Sequence, residues 1–130
     1  MAGKTEPIHV VAVDDDPMIL DAIISMLEAA GHRVTAFTDS RQAMDKMVGL
    51  APDCVISDLM MPDVDGFQMC KFVRGHEDLA DTIFIVLTAK SYEFDVNRAY
   101  EFGAHGFIRK PIVAATFLDK VNRILRDDIE

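Results

Sequence analysis

Short, almost wholly apolar runs alternate along this chain with longer stretches whose apolar residues recur every three or four positions. Val10-Val11-Ala12-Val13, Arg33 to Phe37, Cys54-Val55-Ile56-Ser57, Ile83-Phe84-Ile85-Val86-Leu87 and Gly106-Phe107-Ile108-Arg109 read as five strands. After the first strand, Asp16 can cap a helix with Pro17 at its first position, Leu20, Ile23, Ile24 and Leu27 as its stripe, and Gly31 at its end. Ser40 is the expected cap of a second helix, whose buried side carries Ala43, Met44, Met47 and Val48. Phe67 to Val73 form a third helical face. Val96, Ala99, Tyr100 and Phe102 mark a fourth, closed by Gly103. The last helix shows Phe117, Leu118, Val121, Ile124 and Leu125 to the core and sets Asp119 and Arg123 at i,i+4 spacing on its outer side.

Strands alternating with helices in this way predict an α/β fold, a doubly wound five-stranded parallel sheet with right-handed crossovers that put helices on both faces. The fourth run, from Thr82 to Leu87, is so nearly apolar that it suits an interior strand. At 130 residues and 50% hydrophobic content, residues 1–130 are expected to be one domain with a sizeable core.

Charge and cysteine content narrow the function. A formal net charge of −9 disfavours direct binding to nucleic acid or an anionic membrane. No apolar run approaches the roughly 20 residues of a membrane span, and the start of the chain lacks a signal-peptide core, so a cytoplasmic location is expected. Cys54 and Cys70 fall within a strand and a helix and read as small hydrophobes of a reducing compartment. His9, His32, His76 and His105 have no metal-ligand spacing and read as surface or strand-end residues, while Met26, Met44, Met47 and Met69 read as core filler.

The chemistry lies where the strands end. The first run leads into Asp14-Asp15-Asp16, the third into Asp58, the fourth into Thr88 and the fifth into Lys110-Pro111. In a parallel sheet these residues share the edge beyond the carboxyl ends of the strands, where open α/β sheets bind ligands. Carboxylates held together repel by about 4 kcal/mol per pair at ~4 Å and an effective dielectric near 20. A divalent cation offsets that, and Mg²⁺ suits oxygen ligands with one or two carboxylates and a phosphate. Asp16 is better explained as a helix cap. Asp58 is a candidate nucleophile toward a phosphoryl group, with Thr88 as a hydrogen-bond donor to its oxygens and Lys110 as a compact cation.

Together, Val13-Asp14-Asp15-Asp16-Pro17, Ser57-Asp58-Leu59-Met60-Met61-Pro62-Asp63-Val64-Asp65-Gly66, Leu87-Thr88-Ala89-Lys90 and Phe107-Ile108-Arg109-Lys110-Pro111 resemble the receiver domain of two-component response regulators, including the chemotaxis regulators. The resemblance covers nearly the whole chain, in the family's order. It implies a flavodoxin-like sheet of order 2-1-3-4-5. It further implies that Asp58 accepts a phosphoryl group from a sensor histidine kinase or phosphotransfer protein. Asp15 would then bind Mg²⁺ directly and Asp14 through water, with Asp58 and the backbone carbonyl of Met60 as further ligands. Thr88 would be the switch hydroxyl, Lys110 the phosphoryl contact, and Lys110-Pro111 a cis peptide. Phe107 stands where many relatives carry tyrosine, so switching here would work through packing on a face that docks a downstream protein. Met60 and Lys90 resemble positions that tune hydrolysis, Met60 by limiting water and Lys90 by pairing with the phosphoryl group.

Three other functions compete. A phosphatase of the haloacid dehalogenase class shares the aspartate, Mg²⁺, hydroxyl and lysine, but its nucleophile follows the first strand and an acidic pair follows its lysine. Here the later acids, Asp119, Asp127 and Asp128, lie in or beyond the last helix. Gly3-Lys4-Thr5 lacks the upstream glycine of a phosphate-binding loop. The third alternative is a receiver-like interaction module that is not phosphorylated, against which the complete set of site residues argues. The last helix ends close to residue 130, as expected of either a stand-alone regulator or the receiver portion of a longer one.

Overall fold

The computed structural model of the protein describes residues 6–89 and 93–126. In chain order its elements are β1 (His9–Val13), α1 (Pro17–Ala29), β2 (Arg33–Phe37), α2 (Ser40–Leu50), β3 (Cys54–Asp58), α3 (Gly66–Gly75), β4 (Ile83–Thr88), α4 (Glu93–Glu101), β5 (Gly106–Arg109) and α5 (Ala114–Leu125), with a 3₁₀ turn at Glu77–Leu79 that the sequence pattern did not signal. All strand pairs are parallel, in the order β2-β1-β3-β4-β5. This is the doubly wound, flavodoxin-like arrangement expected from the alternating pattern. β4 is an interior strand, between β3 and β5.

Side chains of the inner strands alternate between two cores, as the two-residue period of a strand requires. Val11, Val13, Val55, Phe84 and Val86 pack with Ala43 and Met47 of α2, Met69, Cys70 and Val73 of α3, and Ala99 of α4. On the other face Val10, Ala12, Ile56, Ile85 and Leu87 meet Leu20, Ile23 and Leu27 of α1 and Phe117, Val121 and Ile124 of α5. With helices covering both faces, a strand can be apolar throughout, and only its ends are left to carry polar chemistry.

Several local expectations hold and several need correction. Asp16 caps α1, accepting the Met18 N–H, with Pro17 at the first position, and Gly31 follows the helix end with φ +97°. Ser40, however, is the first residue of α2 rather than its cap. Asp39 has the extended backbone of a cap, and its carboxylate accepts the N–H groups of Arg41 and Gln42. Tyr100 is exposed, whereas Ala99 is buried and Phe102 packs against the core; the side chain of Val96 lies outside the described residues. His9 and His32 are buried rather than on the surface, although both lie at strand ends. Both cysteines are buried and free, and Cys70 Sγ donates to the Phe102 carbonyl. Burial pushes the Cys70 thiol up to about 11 and raises that of Cys54 further, as inert core positions require. Met47 and Met69 are fully buried, with Met26 and Met44 packed against the two cores.

Candidate phosphoryl and metal site

β1 and β3 are neighbours in space, and the chain leaves them toward helices on opposite faces, which opens a crevice at their carboxyl ends. Asp14 and Asp15 follow β1, and Asp58 is the last residue of β3. One carboxylate oxygen from each of Asp14, Asp15 and Asp58 lies within 4.8 Å of the others. Asp14 is wholly buried and Asp58 nearly so, whereas Asp15 is exposed.

The next two strands complete the group. In the ladder Asp58 pairs with Leu87 and Thr88 pairs with Arg109, so Thr88 and Lys110 are each one residue beyond their neighbours' partners. The Lys110 N–H donates to the Thr88 carbonyl at 2.8 Å, and the Lys110-Pro111 peptide is cis, as the resemblance implied. Lys110 Nζ stands 2.9 Å from Asp14 Oδ2 and 3.4 Å from Asp58 Oδ1. Thr88 is buried at the end of β4.

Electrostatics follow from this crowding. Burial, and then the charge of Asp14, raise the Asp58 carboxyl above its ordinary value, with Lys110 pulling the other way. Burial alone would lower the Lys110 ammonium, but its close ion pair with Asp14 and the charge of Asp58 outweigh that and raise it. Three carboxylates facing one ammonium leave two formal negative charges at one spot. Asp14 Oδ1 accepts the Asp16 N–H at 2.9 Å, while the buried Oδ2 has the Lys110 ion pair but no hydrogen bond of good geometry. An all-oxygen donor set with a surplus of two negative charges fits a hard divalent cation such as Mg²⁺.

The segment between β3 and α3 borders this group. Leu59 N–H donates to the Leu87 carbonyl, and Gly66 N–H donates back to the Leu59 carbonyl at 2.8 Å. A Cβ on Gly66 would stand 2.7 Å from the Asp58 carbonyl oxygen and 2.8 Å from Leu59 Cα, so only glycine lets the chain return this close to the end of β3. This requirement was the main one that the sequence reading missed, although the glycine was visible directly after Asp65. Met60 projects from the segment with 74% of its surface exposed. Away from the crevice, the partly buried Phe107 ring meets Tyr100 edge-on at 6.3 Å. Lys90, Asp127, Asp128 and Gly3-Lys4-Thr5 lie outside the described residues.

A carboxylate cluster, a hydroxyl-bearing strand end and a partly buried ammonium thus meet at the switch point of the sheet, an arrangement that fits a signalling module. The sequence pattern of the response regulator receiver domain matches residues 10–122, and the chain belongs to that family. It is 35% identical over 118 residues to the DNA-binding dual master transcriptional regulator RpaA of Synechocystis, covering 91% of this chain and 49% of that protein. To the transcriptional regulatory protein GltR of Pseudomonas aeruginosa it is 36% identical over 121 residues, covering 90% and 48%. The chain thus spans about half the length of these curated relatives. The chemotaxis response regulator CheY4 of Vibrio cholerae superposes with a TM-score of 0.86 at 30% identity, covering 92% of this chain and 99% of that one. The receiver domain of the sensor histidine kinase PA1611 of Pseudomonas aeruginosa, solved with a magnesium ion in its active-site cleft, superposes at 0.82 with 25% identity, covering 93% and 99%. Two-component signal transduction is the setting of this family. No helix among the described residues is long and apolar enough to cross a membrane.

Proposed function

We propose that this chain is a Mg²⁺-dependent phosphoryl acceptor, with Asp58 as the residue modified and a sensor histidine kinase or phosphotransfer protein as the donor. The observation that carries the reading is the meeting of Asp14, Asp15, Asp58 and Lys110 at one sheet edge. An Asp58 oxygen attacks phosphorus, the O–P bond forms, and the P–N bond to the donor imidazole breaks with its electron pair returning to the ring nitrogen. Lys110 and the Thr88 hydroxyl are assigned to the phosphoryl oxygens. Bound Mg²⁺, held by Asp15 directly, Asp14 through water, Asp58 and the Met60 carbonyl, would supply Lewis-acid withdrawal of charge from the phosphoryl group.

The consequence of transfer is a change of charge at one buried point. Phosphorylation turns the Asp58 carboxylate into an acyl phosphate of roughly two negative charges, about one more than before, beside Asp14, so Lys110 and Thr88 gain a reason to turn toward its new oxygens. Movement at the ends of β4 and β5 reaches Phe107 and Tyr100, the pair we assign to the face that docks a downstream protein. The module acts as a switch and catalyses only its own phosphorylation and dephosphorylation. A net charge of −9 favours protein partners over direct contact with nucleic acid or membrane, and we assign the chain to the cytoplasm. We assign residues 1–130 to one receiver domain, of which the family pattern covers residues 10–122. Met60 limits water at the acyl phosphate, and Met60→Asn is expected to speed loss of the label.

Intact mass after incubation with acetyl phosphate tests the reading. Mass should rise by one phosphoryl group in wild type with Mg²⁺, and not with EDTA or in Asp58→Asn. No adduct from either acetyl phosphate or a phosphorylated histidine donor would leave the unphosphorylated interaction module as the better reading.

A further inference from the structure

The segment that carries Met60 contains a turn of an uncommon hand. The Val64 N–H donates to the Pro62 carbonyl at 2.8 Å, closing a three-residue turn, and its central residue Asp63 has φ +66°. Turns closed over two residues with a positive central φ are rare and strained, although aspartate tolerates this region better than most residues. The hydrogen bonds that hold it come partly from a distant part of the chain. Ser40 Oγ donates to the Pro62 carbonyl at 3.1 Å and accepts the Val64 N–H at 3.3 Å, so one hydroxyl bridges both ends of the turn.

Ser40 is 4% exposed, and its hydroxyl has no capping duty, since Asp39 caps α2. At its base the segment is fastened by Gly66 N–H to the Leu59 carbonyl, and at its tip by Ser40. Met60 lies between these fastenings. Losing the tip contact would leave the strained turn free to relax, and the stretch that carries Met60 would be fastened at its base only.

We propose that Ser40 is a positioning residue that, acting through the Pro62–Val64 turn, sets the Met60 carbonyl for the divalent cation. The inference deepens the metal reading above and rests on it. Ser40 touches neither the cation nor phosphate. Its contribution therefore falls on Mg²⁺ affinity and not on the phosphoryl-transfer step once the cation is bound.

Calorimetric titration of Mg²⁺ into the unphosphorylated full chain separates these effects. The loss of a buried hydrogen-bonding partner should make Ser40→Ala about 3- to 10-fold weaker for Mg²⁺. The half-saturating Mg²⁺ concentration for acetyl phosphate labelling should rise by the same factor, with an unchanged rate at saturation. Ser40→Thr, which keeps the hydroxyl, should restore affinity. The Val64 amide resonance should move in Ser40→Ala and return in Ser40→Thr. Asp63→Gly provides a second background, because glycine takes a positive φ without steric cost. There the loss caused by Ser40→Ala should be smaller, and this pair carries the comparison if the single variant folds poorly. Equal Mg²⁺ affinity in wild type and Ser40→Ala, or equal losses in both backgrounds, would overturn the proposal. Wild type that binds no Mg²⁺ would overturn the metal reading itself, and Ser40's assigned role with it. Wild type that binds Mg²⁺ but takes no phosphoryl group would contradict only the function proposed above, and a loss of affinity in Ser40→Ala would still support the role of Ser40.

Discussion

At the amino-terminal edge of the sheet, polar side chains close off backbone groups. His32 Nδ1 accepts the Ile8 N–H at 3.1 Å, Asp53 Oδ2 the His9 N–H at 2.8 Å and His105 Nδ1 the Phe84 N–H at 3.0 Å, while Thr82 Oγ1 donates to the Pro52 carbonyl at 2.9 Å. At the carboxyl edge, the buried polar groups face each other instead, with Asp14 and Asp58 sharing one ammonium. Each edge buries ionisable side chains, but the carboxyl edge sets its buried carboxylates against each other. The first arrangement lowers the cost of ending a strand, and the second leaves a field that a cation and a phosphoryl group can use.

The largest break in this comparison should come from Asp58→Asn, which is expected to abolish phosphoryl labelling completely by intact mass. Next in size is the response to metal. Mg²⁺ at about 100 times its dissociation constant should stabilise the wild type by ~2.7 kcal/mol in urea melts, with a much smaller gain in Asp58→Asn. If both respond equally, the cation binds elsewhere. Gly66→Ala should cost about 1–3 kcal/mol, because its new methyl would meet backbone that cannot easily yield. At the opposite edge His32→Ala should cost about 1 kcal/mol by leaving the Ile8 N–H without its acceptor, with the Mg²⁺ gain intact.

The smallest effects are in pH dependence, where the two edges should have opposite signs. Burial, and then the charge of Arg33, hold the His9 imidazole below its ordinary value, against the raising influence of Asp53 and the Leu50 carbonyl. The unfolded chain therefore takes up that proton first, and stability is lost as pH falls below about 6.5. His9→Gln should flatten that slope. Asp58 is raised, so the folded chain takes up its proton first, and metal-free stability is gained as pH falls through the raised value toward ~3.9. Urea midpoints across the acid range should lose this gain in Asp58→Asn. Slopes of the same sign would contradict the contrast.

What could be read from sequence follows the same division. The strands were legible because apolar runs flanked by helical spacing leave few alternatives, and the site was legible because each of its residues directly ends such a run. Contacts between segments distant in sequence were not. Ser40 looked like a cap because serine before an apolar stripe usually is one, yet Asp39 takes the cap and the hydroxyl crosses to Pro62 and Val64. His32 and His105 gave no sign of their role because their partners, the N–H groups of Ile8 and Phe84, belong to strands brought alongside only by folding. Tyr100 matched the period of the α4 core but is exposed, while its neighbour Ala99 is the residue buried there.

The central claim, that the carboxyl edge accepts a phosphoryl group on one particular aspartate, is tested most directly by locating the label. Borohydride reduction converts an acyl phosphate to an alcohol, so peptide mapping after labelling with acetyl phosphate and Mg²⁺ should find homoserine at position 58 and nowhere else. Homoserine at another carboxylate, or a label that survives Asp58→Asn, would contradict the account.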